Sequence, residues 1–68
     1  MKTFAKRLKE AREKQGLTQK EFAQELSIPL RTYTNYETIG KGHTMPKCEV
    51  LVQIAELLNT TTDFLLGR

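Results

Sequence analysis

The chain has 68 residues and a formal net charge of +3, so we expect one small domain, residues 1–68, with a thin margin of stability. One cysteine and one histidine exclude an internal disulfide and the common zinc-ligand spacings, so we expect no metal and no cofactor. No apolar run approaches the ~20 residues of a membrane span or follows the basic N-terminus as in a secretory signal, so we expect no membrane partner. The single free thiol suits a reducing cytoplasm, where we expect the protein to be.

Positive charge is concentrated at the start of the sequence. Residues 1–20 carry a net +5, residues 21–47 balance to zero, and residues 48–68 carry −2. A basic face of this kind attracts phosphate, but it is equally an ordinary solvated helix face. Charge alone does not separate these two interpretations.

Apolar residues at helical spacing predict the first helix. Phe4, Leu8 and Ala11 recur at i, i+4 and i+7 over residues 3–15, while lysine and arginine fill the opposite face. Gly16 ends this helix, because glycine takes the positive φ that follows a last helical turn.

The second predicted helix covers residues 18–27. Thr18 and Glu21 have the spacing of a capping box, in which each side chain binds a free backbone N–H of the first turn. The apolar stripe of this helix comprises Phe22, Ala23 and Leu26.

The third predicted helix begins near Pro29, a residue tolerated in a first turn because its missing N–H would be unpaired there. Its two faces differ in polarity. One carries Ile28, Tyr33 and Tyr36, and we interpret the tyrosines as core rather than as base-stacking rings. The other carries Arg31, Thr34, Asn35 and Thr38.

A glycine-containing loop, residues 39–45, precedes the fourth predicted helix. We expect His43 to be an exposed residue of this loop. Residues 47–58 form the helix, and Cys48 is expected to be a small core residue on its inward face. The other residues of that face are Leu51, Ile54, Ala55 and Leu58.

The fifth predicted helix covers residues 62–66. Thr61 is its expected N-cap, and Asp63 complements the positive end of the helix. Phe64 and Leu65 are expected to pack inward, and Gly67 closes the helix. Five short helices without a strand pattern predict a compact all-α domain.

The most informative segment is residues 18–37, a helix, a tight turn and a second helix. Two helices joined this tightly meet at about 90–120° and leave the outer face of the second helix exposed. A helix projecting in this way fits a DNA major groove, which is about 12 Å wide. The segment is therefore typical of a helix-turn-helix.

An ordered set of short motifs covers nearly the whole chain: Arg-Leu-Lys-Glu-Ala-Arg at 7–12, Gly-Leu-Thr-Gln-Lys-Glu-Phe-Ala at 16–23, Tyr36-Glu37, Pro46, Ile54-Ala55, Leu58 and Asp-Phe-Leu-Leu-Gly at 63–67. With these motifs, residues 8–66 resemble the helix-turn-helix domain of the phage repressor and Cro-like transcriptional regulators, the XRE type. The resemblance implies a compact five-helix, lambda-repressor-like fold and a bacterial or phage-encoded protein that acts on DNA of the nucleoid.

The resemblance also implies which residues face base edges, namely Leu30, Arg31, Thr34 and Asn35. Their chemistry agrees, because arginine pairs with guanine O6 and N7, asparagine pairs with adenine N6 and N7, and Leu30 or Thr34 suits a thymine methyl. Alternatives remain open. Arg31 also has the reach and charge for a phosphate contact, and Asn35 is also compatible with a solvated position.

Further roles follow from the same resemblance. Gln19 matches a position that touches phosphate and braces the recognition helix, and Arg12 with Glu37 matches a buried ion pair. The whole predicted set of DNA-backbone contacts is Thr18, Gln19, Thr38, Lys41, His43 and Lys47.

The sequence departs from the family pattern at three places. Ser27 occupies a turn position that usually holds glycine, and it is strained by around 1 kcal/mol if that position needs positive φ. Pro29 replaces a hydroxyl cap. The stretch from Glu37 to Pro46 is about two or three residues longer than usual for the family.

Two functions remain in competition. The first is a sequence-specific regulator, most simply a repressor of prophage or mobile-element type, that binds a palindromic operator as a homodimer. Because no further module that could form a dimer is expected after residue 68, we expect the dimer contact to involve Val50, Val52, Leu57 and the fifth helix. The second is a protein-binding module, antitoxin-like or anti-repressor, in which only Leu30 on the third helix favours protein over DNA. We expect no enzyme and no small-molecule ligand, because no catalytic set or phosphate-binding glycine loop is present in the sequence.

Overall fold

Five helices form the fold, which we describe from a computed structural model covering residues 2–68. They are α1 (Lys2–Lys14), α2 (Gln19–Glu25), α3 (Leu30–Glu37), α4 (Cys48–Leu57) and α5 (Thr62–Leu66). These residues contain no β-strand, so the predicted all-α, five-helix fold is confirmed. Each helix within residues 2–68 is too short or too polar to span a bilayer.

Side-chain caps fix where α2 and α5 begin. The Thr18 hydroxyl accepts from the Glu21 N–H at 3.1 Å, and the Glu21 carboxylate accepts from the Thr18 N–H at 2.9 Å. The predicted capping box is therefore confirmed. Hydrogen bonds from the backbone and side chain of Thr18 lower the pKa of Glu21. Thr61 caps α5 as predicted, since its hydroxyl accepts from the Phe64 N–H at 3.0 Å.

One contiguous core holds the helices together. Tyr33 is fully buried, and its ring centroid lies 5.2 Å from that of Phe22 across the α2–α3 junction. Tyr36 is 6% exposed, so both tyrosines are core residues as predicted. The remaining buried apolar residues are Phe4, Ala5, Leu8, Ala23, Leu26, Ile54, Ala55, Leu58 and Leu65.

The structure corrects two of the expected core positions. Cys48 is exposed, because it is the first residue of α4 and lies before the buried turns of that helix. Phe64 is 45% exposed and packs sideways rather than inward. The guanidinium of Arg7 lies 4.7 Å from the Phe64 ring centroid and donates to the Phe64 carbonyl at 2.6 Å. Arg7 therefore covers the ring and the carbonyl together.

Ser27 and Asn59 are the non-glycine residues with positive φ among residues 2–68, at 58° and 52°. We expect Ser27→Gly to raise the free energy of unfolding by up to about 1 kcal/mol, because a serine Cβ is strained at this φ. Asn59→Gly is the matched control, and its gain should be smaller because asparagine tolerates the left-handed region. Urea unfolding of both variants measures the difference. A loss of stability in Ser27→Gly would contradict the prediction.

Candidate nucleic-acid interface

Packing of α3 on α2 and α1 decides which face of α3 is left exposed. Tyr33, Tyr36 and Glu37 are buried on the inner face. The turn between α2 and α3 is held by backbone hydrogen bonds from Ser27 N to Gln24 O and from Ile28 N to Ala23 O, both 3.1 Å. The helix-turn-helix is thus a fixed unit that presents the other side of α3.

The outer face of α3 brings together the four residues predicted to meet bases. Leu30 is 45% exposed and Arg31 is exposed, while Thr34 and Asn35 are half-buried. Residues three and four apart in a helix are neighbours on its surface, so Arg31, Thr34 and Asn35 form one polar stripe with Leu30 at its edge. Within residues 2–68, no carboxylate pairs with Arg31.

Two threonine hydroxyls on this face are turned back to the helix. Thr34 Oγ1 donates to the Leu30 carbonyl at 2.9 Å, and Thr38 Oγ1 donates to the Thr34 carbonyl at 2.9 Å. Their donor hydrogens are thus occupied. The Thr34 methyl group is the part of that side chain best suited to meet a thymine methyl.

A buried carboxylate ties α1, α2 and α3 together behind this face. Glu37 Oε2 accepts from Arg12 Nε at 2.7 Å and from the Tyr33 hydroxyl, and Oε1 accepts from Arg12 Nη2 at 3.2 Å and Gln19 Nε2 at 3.0 Å. The ion pair predicted between Arg12 and Glu37 is present, with Arg12 7% and Glu37 9% exposed.

The pKa values in this network reflect how many side chains donate hydrogen bonds to Glu37. Burial alone would raise the pKa of Glu37, but hydrogen bonds from Arg12, Tyr33 and Gln19 and the charge of Arg12 outweigh it and lower that pKa. The hydrogen bond to Glu37 raises the pKa of Arg12, and burial together with the same carboxylate raises the pKa of Tyr33. Glu37 is therefore held as a fully bonded carboxylate.

Sequence reasoning missed the share of Tyr33 in this network, whereas the family resemblance had implied that Gln19 braces α3, as its bond to Glu37 does. Tyr33 was assigned only to the apolar face, although it lies four residues before Glu37 on the same helix. That spacing brings two side chains into contact and was the available signal. Gln19 is half-buried, and one N–H of its amide is bonded to Glu37.

The loop after α3 is folded back on the helix. Thr44 N donates to the Asn35 carbonyl at 3.1 Å, and His43 Nδ1 lies 2.9 Å from the Thr38 carbonyl. Because a carbonyl only accepts, Nδ1 carries the proton. The His43 ring meets the Phe4 ring at a centroid distance of 6.4 Å.

The expectation that His43 is exposed is therefore wrong. Its ring is turned inward, and Nε2 is buried without a partner among the residues described, 2–68. A contact between His43 and a DNA phosphate would require the ring to leave this position. Among the other predicted backbone contacts, Thr18, Lys41 and Lys47 are exposed and Thr38 is half-buried.

The residues predicted for a dimer contact divide into two groups. Val52 and Leu57 are 45% and 40% exposed on α4. Val50, in contrast, is half-buried against the core. Phe64, expected in the core, is instead a third exposed apolar side chain at this end of the chain.

Comparison with known proteins gives the class of protein. Residues 8–65 match the family described as helix-turn-helix, and the chain belongs to that family. Three relatives come from Bacillus subtilis (strain 168). HTH-type transcriptional regulator ImmR is 42% identical over 66 residues, and AnsR, named in the same way, is 40% identical over 62 residues. The SPbeta prophage-derived uncharacterized HTH-type transcriptional regulator YonR is 38% identical over 63 residues.

These matches cover almost all of this chain but only part of each relative. They span 97%, 91% and 93% of the chain and 50%, 51% and 56% of ImmR, AnsR and YonR, respectively. The chain thus spans about half the length of the curated relatives it matches. No solved structure matches it at a comparable level of significance. ImmR and AnsR are named as transcriptional regulators, a class distinct from enzymes.

Proposed function

We propose that this chain is a single DNA-binding domain of a sequence-specific transcriptional regulator, in which α3 enters the major groove. The observation that carries the proposal is the polar stripe on the outer face of α3, with Arg31 exposed and Thr34 and Asn35 half-buried beside it. Arg31 and Asn35 are the side chains in that stripe with the donors and acceptors for bidentate pairing with bases. Leu30 and Thr34 supply apolar contacts for thymine methyl groups.

Backbone contacts complete the proposed interface. Thr18 and Gln19 line one depression with Leu30, and Thr38 lies one turn after Thr34. Lys41 and Lys47 are exposed and offer charge from the loop and from just before α4. Phosphate contacts of this kind fix the position of the protein on the duplex without selecting sequence. His43 joins this set only if its ring turns outward.

The proposed active form is a homodimer on a palindromic operator, acting as a repressor of prophage or mobile-element type on nucleoid DNA in the cytoplasm. Val52 and Leu57 are exposed, as a contact with a second copy through these residues requires. The prophage-derived name of the relative YonR supports the proposed origin. Two-fold symmetry would set half-sites about one helical turn apart, roughly 10 base pairs.

Selection from a random duplex library tests this function. The purified protein is incubated with the library at about 150 mM salt, a physiological ionic strength, and the retained DNA is sequenced. We expect enrichment of an inverted repeat with half-sites roughly 10 base pairs apart. An enriched single half-site would support DNA recognition and contradict the homodimer.

Failure to retain DNA would overturn the proposal. In that case the exposed Leu30 at the start of α3 would become the leading feature, and a protein-binding module of antitoxin or anti-repressor type would fit the same fold better. Retention without enrichment would show only phosphate attraction, which is independent of sequence, and would contradict sequence-specific recognition.

A further inference from the structure

A shallow depression lies between α1 and the start of α2, next to the first residue of α3. Its lining includes Lys9 from α1, Gln19 and Lys20 from α2, and Leu30 from α3. Gln19 and Leu30 are the residues proposed above to meet a phosphate and a base. Lys9 and Lys20 therefore share one concave surface with the predicted DNA contacts, although neither belongs to the outer face of α3.

The charges that line this depression favour an anion. Arg12 also lines it, but its guanidinium is bonded to Glu37 and, through Nη1, to the Leu17 carbonyl at 2.7 Å. Lys9 and Lys20 are exposed, and within residues 2–68 neither forms an ion pair. Glu13 is the opposing carboxylate in the lining. Two ammonium groups thus face one carboxylate, and the balance is positive.

Gln19 adds a neutral donor whose direction is already fixed. Its Nε2 gives one hydrogen to Glu37 Oε1 at 3.0 Å, and a primary amide has a second N–H to give. Glu37 is itself held by Arg12 and Tyr33, so the amide has a firm support. Little side-chain freedom remains to be lost when an anion binds.

We propose that this depression binds a backbone phosphate of the duplex, with Lys9 and Lys20 as its cationic ligands and Gln19 as a neutral donor. The proposal rests on the proposed DNA-binding function and deepens it. The protein footprint on DNA then extends beyond the helix-turn-helix onto α1. Two of the positive charges in residues 1–20 would then bind a phosphate.

Salt dependence of DNA binding tests the site. Because phosphate contacts are independent of sequence, a short labelled duplex of random sequence is a sufficient probe. Fluorescence anisotropy between about 50 and 200 mM salt gives the slope of log K against log salt, which changes by about 0.9 for each phosphate neutralised. Because the site holds one phosphate, we expect the Lys9→Ala/Lys20→Ala double variant to reduce the slope by about 0.9, and each single variant to reduce it by part of that amount.

Three matched variants separate this site from a general loss of charge. Lys14→Ala removes the same charge from α1 but in a different depression, beside Phe64, and should leave the slope unchanged. Lys9→Arg keeps the charge and should keep the slope. Glu13→Gln removes the opposing carboxylate and should strengthen binding at low salt, a gain that damage to the fold would not produce.

The outcomes also separate this inference from the function on which it rests. Binding by the unmodified protein with an unchanged slope in Lys9→Ala and Lys20→Ala would overturn the phosphate site and leave DNA binding intact. An equal reduction of the slope in Lys14→Ala would also overturn the phosphate site, because the effect would then not depend on the position of the lysine. Absence of binding by the unmodified protein would overturn the proposed function and the site with it.

Discussion

Glu37→Gln should lower the free energy of unfolding by about 3–5 kcal/mol, the usual loss when one partner of a buried ion pair is removed. The substitution keeps the shape of the side chain, but it leaves the guanidinium of Arg12, a residue only 7% exposed, without a counter-charge. A 68-residue domain has only a few kcal/mol of stability, so this variant should be largely unfolded at 25 °C. Circular dichroism with urea and thermal denaturation measures the loss.

A double-mutant cycle separates the contribution of the Arg12–Glu37 ion pair from that of the other hydrogen bonds to Glu37. Arg12→Met in the Glu37→Gln background removes the stranded charge, and the carbonyl of the introduced amide still accepts from Tyr33 and Gln19. We expect the double variant to recover roughly 2 kcal/mol, within the range of coupling for residues in contact. Glu25→Gln, an exposed glutamate, is the matched control and should stay within about 0.5 kcal/mol of the original. Equal losses in Glu25→Gln and Glu37→Gln would refute the assignment.

The same carboxylate predicts a dependence of stability on pH. The pKa of Glu37 is lowered in the folded chain, so its contribution is complete above the ordinary value of 4.5 and is lost as pH falls through the folded pKa. Glu21 shifts in the same direction, because hydrogen bonds from Thr18 lower its pKa. In the Arg12→Met/Glu37→Gln double variant, which recovers part of the stability, urea unfolding at a series of pH values should therefore give a shallower acid limb that does not disappear.

The outline of the fold follows from local signals in the sequence. The Thr18–Glu21 capping box, the Thr61 cap and the apolar spacing of Phe4 and Leu8 depend on residues a few positions apart, and the structure has each of them as expected. Helical periodicity failed at two positions. The helical repeat placed Cys48 in the core, although this residue lies in the first turn of α4 and is exposed. It also placed Phe64 in the core, although its ring lies at the surface beneath the guanidinium of Arg7.

Details of the candidate site depend on contacts that spacing cannot supply. The helical repeat of the sequence places the four residues of the outer face of α3 on one side of a single helix, so it was enough to group them. The contacts of Arg12 and Gln19 with Glu37 require the angles between three helices, whereas the contact of Tyr33 with Glu37 follows from their spacing on α3. His43 was misjudged because loop residues are usually exposed, whereas here the Thr38 carbonyl and the Phe4 ring hold its ring inward.

Substitutions on the outer face of α3 should change sequence preference rather than stability. Arg31 is exposed and Asn35 half-buried, so Arg31→Ala and Asn35→Ala should leave the free energy of unfolding within about 0.5 kcal/mol. On the selected operator, each should cost about 1–3 kcal/mol of discrimination, and each should relax one base position. Repeating the library selection with each variant identifies that position, which we expect to be a guanine for Arg31 and an adenine for Asn35.

Arg31→Lys decides between the two roles open to Arg31. Lysine keeps the charge but lacks the planar fork that pairs with guanine O6 and N7 together. If Arg31 contacts a base, Arg31→Lys should lose preference at the same position as Arg31→Ala while keeping the salt slope of the original. If Arg31 contacts a phosphate, Arg31→Lys should bind as the original does, and Arg31→Ala should weaken binding to all sequences alike with a slope smaller by about 0.9. We expect the first pattern, because Arg31 shares its stripe with Thr34 and Asn35 rather than with the lysines beside Gln19.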